Sequence, residues 1–156
     1  MISILIPAYN NNETLYRLLN SIRDQIIEYP IQIIVSDDAS NIKLGETTEL
    51  QELRIKLKIE WYYQKTNLGV LGNGIFLAKK AKYKYAVFAQ HDDYYIDKHF
   101  LNRSIDLMEN TNNIGFVYGN AVFENSSALL MNTNKNTQEK ISGFRFSEIF
   151  WNEIMT

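Results

Sequence analysis

The sequence predicts an α/β fold, a mainly parallel sheet with helices on both faces. Three observations predict it. Short apolar runs alternate with stretches of helical periodicity along most of the chain. The runs are near-continuous, as strands buried on both faces are. Each run ends in a polar loop that leads into the next helix, which is the strand–helix order of a parallel sheet. At 46% hydrophobic and 22% charged, the 156 residues have enough apolar content for a core and exclude disorder and low complexity. With no internal repeat and no linker, residues 1–156 are expected to form a single domain.

Ile2–Ile6 is the first strand. A helix from Asn10 to about Tyr29 follows, with Leu15, Leu18, Leu19, Ile22 and Ile26 on one face. Asn10 with Glu13 three residues on resembles a capping box, and Pro30 ends the segment. Ile31–Ser36 is a second buried strand, and the polar loop Asp37–Asn41 leads to a helix over roughly Gly45–Lys56. Leu50, Leu53 and Leu57 point inward from that helix. Lys58–Tyr63 alternates Ile59, Trp61 and Tyr63 as a third strand. Thr66–Gly74 reads as a Gly/Asn-rich loop opening a helix that ends near Lys82. Tyr85–Gln90 is a fourth strand, broken by His91-Asp92-Asp93; a helix over Asp97–Glu109 and a strand over Gly115–Phe123 come next. Beyond it, 125–140 reads as a polar surface loop. Phe144–Ile154 regains helical spacing, and Phe144, Phe146, Phe150 and Trp151 fit core packing better than a sugar platform.

Composition excludes several kinds of chemistry. Sixteen Lys+Arg against eighteen Asp+Glu provide no basic excess to attract nucleic acid. Without cysteine there is no disulfide, thiolate nucleophile or Cys-based zinc site. His91 and His99 are the only histidines and match no zinc spacing. His91 sits where it could touch a metal or sugar, whereas His99 reads as a surface helix residue. No run reaches the roughly 18–20 apolar residues of a transmembrane segment. The apolar N-terminus meets Pro7 at once and reads as a strand rather than a signal peptide. A cytoplasmic protein is expected.

Ligands of parallel α/β sheets bind where the strands end, because loops and helix N-termini converge there. Three polar loops occupy such positions: Pro7-Ala8-Tyr9-Asn10, Asp37-Asp38 and His91-Asp92-Asp93. An isolated Asp pair is more often an Asx-turn or a helix cap. Two pairs after separate buried strands are harder to explain that way, since like charges gathered at one edge repel unless a cation or proton intervenes. Carboxylate oxygens favour Mg²⁺ or Mn²⁺, which complete their coordination with water and substrate phosphates. The pattern therefore points to a nucleoside diphosphate. It is no dinucleotide or P-loop motif: the first turn lacks glycine, and Gly69–Gly74 has the order GxxGxG without a following Lys-Ser/Thr.

Ile2-Ser-Ile-Leu-Ile-Pro-Ala-Tyr-Asn10, Val35-Ser-Asp-Asp-Ala-Ser40, Asn67-Leu-Gly69 and Phe88-Ala-Gln-His-Asp-Asp93 resemble, in this order, the motifs of family 2 glycosyltransferases. The resemblance covers roughly residues 1–123. It implies a Rossmann-like GT-A fold, with a nucleotide-sugar-binding part over 1–123 and the start of a truncated acceptor-side region over 124–156. It also implies that Pro7, Ala8 and Tyr9 frame the nucleobase and that Asp38 accepts a hydrogen bond from it, typically from uracil N3–H. Asp92 would bind a ribose hydroxyl, and Asp93 would ligate a Mn²⁺ or Mg²⁺ ion bridging the diphosphate. The implied reaction is metal-dependent, inverting transfer of a sugar from a UDP-sugar to a hydroxyl of a saccharide or lipid-linked saccharide, in polysaccharide or glycoconjugate synthesis. Its implied place is the cytoplasm, peripheral at the inner face of the membrane.

Two departures stand out. Gly72-Asn73-Gly74 occupies the place of the family's Ala-Arg-Asn, leaving Lys65 or Lys79 as the candidate positive charge. The catalytic base is unassigned, since neither position nor spacing singles out Glu124, Glu139, Glu148 or Glu153. A truncated or degenerate domain that binds nucleotide-sugar without turnover is the alternative, and a generic α/β nucleotide-binding protein is a third reading.

Overall fold

A computed structural model describes residues 1–119. The chain divides into two compact units, Met1–Ile105 and Asp106–Thr156, and the elements that carry the candidate site belong to the first. Its strands are β1 (Ile2–Ala8), β2 (Ile31–Asp37), β3 (Glu60–Tyr63) and β4 (Tyr85–Phe88). They form one sheet of order β3-β2-β1-β4, parallel throughout. Ile2 pairs with Ile31 on one side and Tyr85 on the other, so β1 is the central strand shared by both neighbours.

Alternation along the strands builds two layers. Ile4, Ile6, Ile33 and Val35 face one way, into a core with Leu15, Leu18, Leu19 and Ile22 of α1 (Asn12–Arg23). Leu50 and Leu53 of α2 (Thr48–Lys56) and Leu101 and Ile105 of α4 (Phe100–Asn110) complete that layer. Leu5 and Ile34 face the opposite way, against Leu77 of α3 (Gly69–Ala78), with Tyr62 and Phe76 packed alongside. Each buried aliphatic side chain contributes about 1.5–3 kcal/mol. Helices thus cover both faces, as the apolar pattern requires.

Several boundaries differ from expectation for identifiable reasons. The first helix is capped by Asn11, whose side chain accepts from the Glu13 and Thr14 amides; Asn10 instead adopts φ 59° outside the helix. It ends at Arg23 rather than near Tyr29, and Ile26 is 51% exposed. Tertiary bonds replace the missing turns: the Ile26 amide donates to the Lys98 carbonyl, and Gln25 Nε2 donates to that of Asp97. The second helix begins after its Thr47 cap, since Gly45 at φ 81° turns the chain. A Cβ on Gly45 would lie 2.6 Å from Trp61 Cζ2, so the indole packs where only glycine leaves room.

The largest correction concerns Thr66–Gly74. Gly69 already starts α3, so Gly72, Asn73 and Gly74 are helical and the Gly-rich stretch is no flexible loop. Sheet packing through Leu77 overrides the poor intrinsic propensity of glycine. The fourth strand stops at Phe88 and the fourth helix starts at Phe100. Residues 115–119 of the expected fifth strand are not in a strand, and 120–123 lie outside the described residues. The loop at 125–140, the helix over Phe144–Ile154 and the aromatic cluster within it also lie outside them.

Candidate functional site

All four strands run the same way, so the loops after β1, β2 and β4 leave from one edge of the sheet. Because β1 lies between β2 and β4, its loop stands between the two that carry aspartate pairs. Pro7 and Ala8 close β1, buried and paired with Ser36 and Asp37, and Tyr9 follows as a 42% exposed side chain. Asn10 then stitches the first two loops together. Its amide donates to Ser40 Oγ at 2.8 Å, and its Oδ1 accepts from the Asn41 amide at 2.8 Å.

The two aspartates after β2 have different tasks. Asp37 is 2% exposed and wholly engaged with its own loop. Its Oδ1 accepts from the Ser40 amide and hydroxyl, and its Oδ2 accepts from the Leu44 amide at 2.9 Å. This is the Asx-turn role that any isolated pair would suggest. Asp38 is also buried, its amide donating to the Ala8 carbonyl at 2.9 Å. Its Oδ1 accepts from the Leu68 amide at 2.8 Å, and its Oδ2 has no partner among the described residues. One member of the pair builds the loop, and the other keeps an open acceptor.

After β4 the chain turns, with the Asp93 amide donating to the Gln90 carbonyl at 3.1 Å. His91, Asp92 and Asp93 share this turn, and both carboxylates are exposed. Partial burial holds the Asp93 carboxyl above the ordinary aspartate range; the adjacent Asp92 charge adds to this and His91 opposes it. The loop is anchored on α1, where Ser21 Oγ accepts from the Tyr95 amide at 3.0 Å, and the Tyr95 ring stacks on Phe100. Burial foremost, then the Asp93 charge, pushes the Tyr95 phenol up to about 12. The expected helical position of His99 becomes an exposed turn just ahead of α4, where its amide donates to Asp97 Oδ1.

No cluster of three or more ligating side chains that could hold a metal occurs among the described residues. The Asp92/Asp93 pair nevertheless fits a hard cation of the Mg²⁺ or Mn²⁺ type, which uses one or two carboxylates and completes its shell with phosphates and water. Its uncompensated negative charge is what such an ion would neutralise. Of the two lysines considered, Lys79 caps the C-terminal end of α3. Since α3 runs back from β3 to β4, that end lies at the opposite edge of the sheet. Lys65 is exposed just after Gln64, whose amide donates to the Asp37 carbonyl, and stays at the site edge. The acids Glu124, Glu139, Glu148 and Glu153 lie outside the described residues.

Residues 3–154 match the family described as Glycosyl transferase family 2. The chain belongs to this family. As a family 2 glycosyltransferase it is similar to two Escherichia coli proteins named UDP-Glc:alpha-D-GlcNAc-diphosphoundecaprenol beta-1,3-glucosyltransferase. WfgD is 28% identical over 83% of this chain and 49% of its own length. WfaP is 32% identical over 80% of this chain and 47% of its own length. The glycosyltransferase thus spans about half the length of these curated relatives. Its fold is similar to that of S. aureus TarS 1-349 solved in complex with UDP-GlcNAc, with a TM-score of 0.61 and 26% identity over 70% of this chain and 31% of that one. The Rossmann-like α/β arrangement expected of a GT-A fold is the one observed.

Sequence reasoning missed the layer beneath these site residues. Asn10 and Ser40 join two loops, Gln64 Nε2 donates to Ser36 Oγ, and Asn73 Nδ2 donates to the Ser36 carbonyl. Asn73 carried no signal of its own, since it lies between Gly72 and Gly74 in the stretch that reads as a loop.

Proposed function

We propose that this glycosyltransferase transfers a sugar, by inversion, from a UDP-sugar to a hydroxyl of a saccharide or lipid-linked saccharide in glycoconjugate synthesis. Pro7, Ala8 and Tyr9 frame the uracil, Asp38 accepts from N3–H, Asp92 binds a ribose hydroxyl, and Asp93 holds Mn²⁺ or Mg²⁺. The observation that carries the reading is the presence, on one sheet edge, of a buried Asp38 with one carboxylate oxygen open and an exposed acidic pair after β4. The UDP-sugar donor is supported by the UDP-Glc in the names of the two E. coli relatives and by the UDP-GlcNAc complex of TarS. The diphosphoundecaprenol in those names supports a lipid-linked acceptor. Among the described residues no helix is long and apolar enough to cross a membrane.

In the transfer, the acceptor oxygen forms a bond to the anomeric carbon as the bond from that carbon to the β-phosphate oxygen breaks. The electron pair leaves with UDP, and the acceptor proton passes to a general base whose residue is unassigned. Bound metal supplies charge neutralisation for the departing diphosphate. The chain's own residues orient the donor and exclude water from the nucleobase.

Radiolabelled UDP-glucose incubated with the full chain, Mn²⁺ and a GlcNAc-diphospholipid is expected to yield labelled glycolipid. Release of UDP into a chelator-treated mixture at the same rate overturns the metal-dependent reading. The unassigned catalytic base leaves a second reading, a domain that binds UDP-sugar without turnover. Binding with no transfer to any hydroxyl acceptor selects it.

A further inference from the structure

Asn73 is 1% exposed in the interior of α3, where asparagine is a poor helix former. Its Nδ2 donates to the Ser36 carbonyl at 3.1 Å, while its Oδ1 is buried with no partner. A half-satisfied amide inside a packed layer is unfavourable and uncommon in native folds, so its retention calls for a reason. The bond Asn73 does make is informative, because Ser36 immediately precedes the Asp37-Asp38 pair. Gln64 grips the same stretch, its Nε2 on Ser36 Oγ at 2.9 Å and its amide on the Asp37 carbonyl at 2.8 Å. A second tie runs from the start of α3, where the Leu68 amide donates to Asp38 Oδ1. The helix is therefore fastened to the end of β2 at two points, and one of them is the side chain of Asp38.

We propose that Asn73 is a positioning residue for nucleobase recognition, fixing α3 against Ser36 so that Leu68 occupies Asp38 Oδ1 and leaves Oδ2 for the base. The proposal rests on the reading of Asp38 as the base acceptor. With Leu68 in place the carboxylate plane is fixed and one lone-pair direction is presented. Without it the carboxylate rotates, and discrimination between a donor and an acceptor at the base N3 position relaxes. Uracil offers N3–H and cytosine an N3 lone pair, so the preference for UDP over CDP reads this geometry directly.

Calorimetric titration of the full chain with UDP and with CDP, both with Mn²⁺, tests it in two variants. Asn73→Ala removes the tie to Ser36, but it also removes the orphan acceptor and improves helix propensity, so the fold is retained. Leu68→Pro removes the amide, together with a 43% exposed leucine side chain, in an Asn67 Asx-turn that takes proline once φ moves from −91° toward about −65°. Each variant is expected to lower the UDP-over-CDP preference about fivefold, the size of one modest hydrogen bond. A merely structural role reduces the competent fraction, which weakens both nucleotides by one factor and leaves their ratio unchanged. An unchanged ratio in both variants overturns the positioning role while Asp38 keeps its own. A wild-type chain with no preference for UDP removes the reading of Asp38, and this proposal with it.

Discussion

Asp37 and Asp38 are adjacent, identical in chemistry and both buried, yet their surroundings divide the work. Asp37 gives both oxygens to its own loop, and Asp38 gives only one away. Asp37→Ala is expected to cost about 2 kcal/mol of stability in urea denaturation, because buried amides lose a charged acceptor. Asp38→Asn keeps the bond to Leu68 and is expected to leave stability within about 0.5 kcal/mol of wild type while reducing the preference for uracil. Equal stability losses at both positions would contradict this division. The family motif singles out Asp38, but the physical reason appears only in the fold, where Asp37 closes its own loop on Ser40 and Leu44 while Asp38 meets Leu68 thirty residues on. Asp93 carries a pH signature. A carboxyl held above its ordinary value contributes stability that is present below that value and lost as pH rises through the raised one. At neutral pH the ionised pair is therefore a burden that a cation relieves. Mn²⁺ is expected to raise the melting temperature of wild type at pH 7 and to leave that of Asp93→Asn unchanged; an equal rise in both removes Asp93 from the metal site.

At the scale of elements, the two buried inner strands were legible and helix ends were not. Ile2–Ala8 and Ile31–Asp37 are buried almost throughout, so their apolar runs announce themselves without reference to partners. The apolar spacing of α1 continues through Ile26, but there the Ile26 amide bonds to Lys98 and the Gln25 side chain to Asp97, some seventy residues away. No local pattern encodes that exchange. The Gly69–Gly74 stretch misleads in the opposite direction: composition predicts a loop, whereas burial of Leu77 against Leu5 and Ile34 makes a helix. Leu19→Ala is expected to destabilise the fold by about 2–5 kcal/mol, and Ile26→Ala by less than about 0.5 kcal/mol, by chemical denaturation. Comparable losses would restore Ile26 to the core-facing side of a longer helix.

At the scale of the molecule, topology converts scattered motifs into one edge. Residues 7–10, 37–38 and 91–93 converge only because β1 lies between β2 and β4 in a parallel sheet. That placement was readable from strand–helix alternation, and so was the assignment of acidic loops to the strand ends. The polar layer beneath them was not, since Asn73, Ser36 and Gln64 acquire meaning only when α3 folds over β2. The direction of α3 also decides between the lysines, leaving Lys65 at the site edge and carrying Lys79 away from it. The central claim, a diphosphate held at this edge through a divalent ion on Asp93, is tested most directly by calorimetric titration of the chain with UDP. Binding in Mn²⁺ that disappears with chelator and in Asp93→Asn is the predicted result. Equally tight binding in chelator, unaffected by that substitution, would contradict it.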